Sequence, residues 1–199
     1  MTSAEVVVLR FGERRVPRAL ADLPLRDVVT ADDVGPVTSR RLIVLGTHAD
    51  LSVVLTQLLR ADRLDVEIGF PSGARHARRA RTGPARRVPL IRDETGTVIT
   101  KAAFWLPTEK PARAIVGEAV VDDTVLFDGE VNGVCVEPTA AMPGLRARVT
   151  RRGWRRWVTG RAAQLGTTGA LVVRDGVAGP RPVRRSTFYR HTTGWLAVR

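Results

Sequence analysis

The stretch from Arg41 to Arg79, RLIVLGTHADLSVVLTQLLRADRLDVEIGFPSGARHARR, most narrows what this chain can fold into, because its hydrophobic period changes twice. Leu42 to Leu45 is a continuous apolar run ending at Gly46, the pattern of a strand buried on both faces. Leu51, Val54, Leu55, Leu58 and Leu59 then recur at i, i+3, i+4, i+7 and i+8. That spacing predicts an amphipathic helix, with Asp50 placed to cap its first free N–H groups. Leu64, Val66, Ile68 and Phe70 alternate with Asp65, Glu67 and Gly69, which predicts a second strand with one covered face. The connection is long enough for a right-handed parallel crossover, so the segment reads as a βαβ unit of the mononucleotide-binding type. A ligand of such a unit lies beyond the carboxyl ends of the strands, here beside Gly46 to Asp50 and Pro71 to His76.

From about Ala114 the period becomes that of short strands. Ala114 to Val121, Thr124 to Phe127, Val131 to Glu137 and Leu145 to Thr150 are β-prone runs divided by Asp122-Asp123, Asp128-Gly129 and Pro143-Gly144. Trp154 to Thr159, Ala170 to Arg174, Val183 to Tyr189 and Trp195 to Val198 extend the series, with Asp175-Gly176 as a hairpin signal. This predicts an antiparallel sandwich or partly closed barrel. Residues 80–113, rich in Arg, Pro and Thr, read as the passage between lobes, in which Val88 to Ile91 and Val98 to Trp105 are further strand candidates. The expected architecture is α/β plus β: a small βαβ-containing N-terminal lobe over 1–110, followed by an antiparallel β-sandwich lobe over 111–199.

With 199 residues and 44% hydrophobic content the chain can bury a core without staples. Cys135 is the only cysteine, no apolar run approaches ~20 residues, and Val6 to Leu9 is too short for a signal-peptide core. A reducing, bacterial-type cytoplasm is the expected location. The net charge of +12 rests almost wholly on arginine, since only Lys101 and Lys110 are lysines. Arginine excess beside abundant Ala, Val and Gly is also what a high-GC genome produces. Two clusters stand out: Arg75, Arg78, Arg79, Arg81, Arg86 and Arg87, and then Arg151, Arg152, Arg155 and Arg156. Clustered guanidinium groups suit polyanions, so nucleic acid or an anionic lipid surface is a partner class compatible with Arg78, Arg79 and the second cluster; a solvated basic surface fits them as well.

Trp154 and Trp157 interleave with that second cluster. On a strand they would face opposite sides, which favours core packing of at least one indole over a base-stacking platform. Glu130 and Asp175, at the two Asp-Gly turns, are either carboxylates for a cleft or Mg²⁺, or plain turn chemistry. In Arg184 to His191, alternation sets Arg185, Thr187 and Tyr189 against Ser186, Phe188 and Arg190, as an anion site or a packed strand. Metal-ligand spacing among His48, His76 and His191, a Walker A loop and a Gly-x-Ser-x-Gly elbow are all absent from the sequence. Cys135 lies in an apolar run that suits a packed thiol.

The order strand, Gly46-Thr47-His48-Ala49-Asp50-Leu51, helix, strand, Pro71-Ser72-Gly73-Ala74 resembles the diacylglycerol kinase group of lipid kinases and, more distantly, the NAD kinases. Those proteins carry Gly-Gly-Asp-Gly-Thr-Leu and Pro-x-Gly-Thr at these places. Gly46, Leu51, Pro71 and Gly73 match, and the resemblance spans residues 40–190. It implies a shortened, loop-degenerate member that binds a nucleotide or phosphorylated small molecule in a cleft between lobes. Gly46, Thr47, His48, Asp50, Ser72, Gly73 and Arg75 are the expected phosphate-binding residues, with ATP and Mg²⁺ as the cofactors implied. Thr47, His48 and Ala49 each add a Cβ where the family has a glycine-rich turn or its acidic residue, which aligns with His48. The expectation is therefore binding without robust turnover. The alternative is an ATP-dependent lipid kinase in which Asp50 or Glu130 would lie near Mg²⁺.

Overall fold

A computed structural model describes residues 5–108, 114–150 and 156–198, and the chain divides into two compact units. The first comprises Met1–Val88 with Thr193–Arg199, and the second Pro89–Thr192. The sequence had placed the division near residue 110 and left the C-terminal strand in the sandwich. Instead Trp195–Val198 joins the sheet of the first unit, because its backbone completes ladders on both edges: parallel to Glu67–Gly69, and antiparallel to Ala85–Val88.

The first unit holds strands β1 (Val6–Phe11), β2 (Leu25–Val28) and β3 (Arg41–Leu45), helix α1 (His48–Arg60), β4 (Glu67–Gly69), helix α2 (Ala74–Thr82) and β5 (Ala85–Val88). Its sheet runs β2, β1, β3, β4, the C-terminal strand, β5, all parallel except the last pairing. Every residue of β3 is buried, as its unbroken apolar run requires. Helix α1 buries Leu51, Val54, Leu55 and Leu58, leaving Leu59 only half-buried. The second strand of the βαβ unit is shorter than the alternation from Leu64 to Phe70 predicts, although Leu64, Val66 and Ile68 are all buried.

Helix α2 falls where a Gly-containing loop and a linker were expected. It offers the sheet only Ala77 and Ala80, too narrow a stripe to be read as an amphipathic helix. Its place is set by tertiary contact. A Cβ on Gly69 would stand 2.8 Å from the Ala80 carbonyl oxygen, so only glycine in β4 permits this approach. At its C-terminal end the nearly buried Arg41 donates to the carbonyls of Ala80, Arg81 and Gly83 while pairing with Glu67. A guanidinium fork thus satisfies carbonyls that the helix end leaves without intrahelical partners.

The second unit is antiparallel throughout: β6 (Ile91–Asp93), β7 (Val98–Ile99), β8 (Ala103–Leu106), β9 (Ile115–Val121), β10 (Thr124–Val131), β11 (Val134–Pro138), β12 (Leu145–Val149), β13 (Val158–Gly160), β14 (Ala162–Arg174), β15 (Val177–Ala178) and β16 (Val183–Arg190). Strand β14 joins its two halves. Residues Ala163–Thr167 pair with β9, Leu171–Arg174 pair with β8, and the ladder to β16 slips between Gly166 and Ala170. The resulting sandwich closes on Trp105 and Phe188, whose rings lie 5.8 Å apart, with Ile91, Ile115, Val134, Leu145 and Val172 around them.

Two turn assignments separate here. Asp175-Gly176 makes the β14–β15 hairpin with both residues at positive φ, as read. Asp128-Gly129 does not turn: both lie inside β10, opposite Glu118 and Gly117, and the chain reverses at Asp122-Asp123 instead. The strand expected at Trp154 to Thr159 is described only from Val158; Arg151, Arg152, Trp154 and Arg155 lie outside the described residues.

Candidate functional site

Strand β3 ends at Leu45, and the next turn is built around one carboxylate. The backbone N–H and Oγ1 of Thr47 both donate to Asp50 Oδ2, at 2.6 and 2.8 Å, and Asp50 N–H returns a bond to Thr47 Oγ1 at 3.3 Å. This is a capping box with Thr47 as the N-cap and Asp50 in the third helical position, so Asp50 is not itself the N-cap. Gly46 is needed for the same reason, since a Cβ there would lie 2.7 Å from both Cβ and Oδ2 of Asp50. The first loop is therefore shaped by helix capping as much as by any ligand.

A cavity of about 880 Å³ opens over this turn, within the roughly 300–1,000 Å³ of small-molecule sites. Gly46, Thr47, His48, Ser72 and Gly73 line it, so five of the seven sequence-predicted phosphate residues meet in one place. Asp50 and Arg75 do not line it. Ser72 Oγ is 3.0 Å from His76 Nδ1, one helical turn on, and the His48 imidazole meets the Phe70 ring edge-on at 5.0 Å. All lining residues belong to the first unit.

Arg14, Arg15 and Arg18, on the connection after β1, also line the cavity. Their signal in the sequence is the basic run in Glu13-Arg14-Arg15-Val16-Pro17-Arg18, which lies outside the two loop motifs that point to the site. All three side chains are exposed, and among the described residues none has a carboxylate partner. Elsewhere in this unit Arg10 is tied to Asp27, Arg81 to Asp22, and Arg41 to Glu67. These pairings hold the Asp27 and Asp22 carboxyls below the usual carboxylate range, the arginine hydrogen bond being the main cause. Helix α2 adds a positive end: its N-cap, Gly73, has no side chain to cap it, and the space beside its Cα is open. Leu45, Phe70, Pro17 and Pro71 form an apolar wall.

The other candidate groups lie apart. Arg78 and Arg79 are exposed on α2, Arg81 is bound to Asp22 and the Ala19 carbonyl, and Arg87 to the Gly194 carbonyl, so the first arginine cluster does not form one free patch. Arg156 is exposed, while the Arg146 and Arg148 guanidinium groups lie 4.2 and 4.5 Å from the Trp157 ring centre. The Asp175 carboxylate accepts the backbone N–H groups of Thr100, Lys101 and Ala102, a structural duty; Glu130 is exposed on β10. Strand β16 turns Ser186 and Phe188 inward, as a packed strand does. None of the described helices is long and apolar enough to cross a membrane.

No protein-family model matches the sequence, and no curated protein matches it. Solved structures do match its fold. A putative diacylglycerol kinase from Bacillus anthracis str. Sterne superposes with a TM-score of 0.74 at 12% identity, over 100% of this chain and 98% of that one. An NAD kinase from Archaeoglobus fulgidus, in complex with ATP, gives 0.65 at 14% identity over 98% and 93%. Yeast NADH kinase complexed with NADH gives 0.61 at 9% over 99% and 84%. The chain therefore has the fold of the diacylglycerol kinase and NAD kinase-like proteins.

Proposed function

We propose that this protein binds a nucleotide or another phosphorylated small molecule in the cavity over Gly46 to His48 and Ser72 to Ala74, without robust phosphoryl transfer. The observation that carries this reading is the composition of the lining: Arg14, Arg15, Arg18 and the open N-terminal end of α2 supply positive charge, and among the described residues no carboxylate lines the cavity. Guanidinium forks and free backbone amides bind phosphate oxygens, and the wall of Leu45, Phe70 and Pro71 suits the ring or hydrocarbon that a phosphate is attached to. Binding is favoured over turnover because transfer to a hydroxyl calls for a base, and Asp50, two residues from the lining, holds the Thr47 cap. The lone, buried Cys135 agrees with a cytoplasmic location.

The test is calorimetric titration of the full chain with ATP, ADP and inorganic pyrophosphate at physiological salt, with and without Mg²⁺. Saturable one-to-one binding is expected, abolished by R14A/R15A/R18A and unaffected by R78E/R79E. Binding that survives the triple substitution, or appears only with long polyanions and vanishes in R78E/R79E, would instead make the protein a basic surface module.

A further inference from the structure

The ligand set is wrong for the cation that usually accompanies nucleotide phosphates. Mg²⁺ is held by oxygen ligands, normally one or two carboxylates besides phosphate and water. Among the described residues no aspartate or glutamate lines the cavity. Glu13, next to Arg14 in the chain, is exposed and does not line it, and Asp50 keeps Oδ2 on the Thr47 N–H and hydroxyl, with its Cβ and carboxylate packed against the Gly46 backbone. Among the described residues no three histidine, cysteine or carboxylate side chains come together as a metal-binding group. The lining instead offers three guanidinium groups that have no carboxylate partner among the described residues.

We infer that the cavity takes its phosphorylated ligand as the free polyanion and discriminates against the Mg²⁺ complex. This rests on the reading of the cavity as a phosphate site, and adds which ionic form of the ligand it selects. The physical reason is charge balance. Chelated Mg²⁺ cancels two negative charges of a triphosphate, occupies oxygens that the arginines would engage, and brings bound water and a positive centre towards Arg14, Arg15 and Arg18. With no acid among the described lining residues to offset that centre, the metal complex loses attraction and gains repulsion. The class of ligand is thus a nucleotide or phosphorylated metabolite carrying two or more phosphate charges on an apolar or aromatic body, taken without a divalent cation.

The test is a pair of titrations of the unmodified chain with ATP at matched ionic strength, one in excess EDTA and one with saturating Mg²⁺. The expected result is a dissociation constant at least about tenfold higher with Mg²⁺. Equal or tighter binding of Mg-ATP overturns the inference while leaving the phosphate site intact. Failure of ATP, ADP and pyrophosphate to bind in either buffer overturns both. The single charge-reversal variant R18E supplies one carboxylate at an exposed position while keeping Arg14 and Arg15, and should narrow the preference. An unchanged preference in a variant that still binds would show that the charge of the lining does not set it, and would also overturn the inference.

Discussion

The indole Nε1 of Trp105 donates a 3.0 Å hydrogen bond to the Oγ of Ser186, with both side chains buried in the sandwich core. These are distant positions in the chain, on β8 and β16, and the bond satisfies the one polar group of a fully enclosed tryptophan. Ser186→Ala should leave that N–H without a partner and cost about 1–3 kcal/mol, read as a lower urea midpoint with the slope unchanged. An unaltered midpoint would mean that water replaces the serine.

Gly46→Ala tests what the first loop glycine is for. The new methyl would collide with Asp50 at its Cβ as well as its carboxylate, so rotating the carboxylate alone does not relieve it. Loss of the capping box should cost about 1–2 kcal/mol and speed amide exchange in the first turn of α1. A variant as stable as the parent would show that the turn accommodates a side chain without Asp50.

Arg41→Lys keeps a charge next to Glu67 but removes the fork that reaches three carbonyls at the end of α2. A loss of about 1.5–3 kcal/mol is expected, with the exchange protection of residues 74–82 falling more than that of α1. Equal protection in the two helices would detach α2 from Arg41.

Burial, with a smaller contribution from Glu137, pushes the Cys135 thiol up from its ordinary 9.0 to about 11. The unfolded chain therefore gives up this proton first as pH rises. The contribution of Cys135 to folding stability should be constant below about pH 9 and decline between 9 and 11. Cys135→Ser should remove that part of the alkaline decline, and alkylation of the native thiol at pH 8 should be far slower than of the unfolded one. Rapid native alkylation would contradict the burial.

Periodicity carried the βαβ unit because β3, α1 and β4 each bury a face wide enough to leave a pattern: all of β3, four apolar residues of α1, and Ile68. The same holds for most sandwich strands and for the Asp175-Gly176 hairpin, where positive φ restricts residue choice locally. Helix α2 left no such mark, since two alanines and a run of arginines look like a linker until Gly69 and Arg41 are brought beside them. Asp128-Gly129 misled for the converse reason: a dipeptide suited to a turn was absorbed into β10 by pairing with β9.

The sequence by itself determined the βαβ unit with its Asp50 cap, most of the sandwich strands, the two loops at the strand ends and the excess of positive charge, all properties written in nearest neighbours and short repeats. Tertiary structure alone decided that the last strand returns to the first sheet and that Arg14, Arg15 and Arg18 gather over Gly46 and Gly73. These depend on contacts between residues far apart in the chain. Such contacts are selected by the shared burial and hydrogen bonding of whole elements, which no local pattern records.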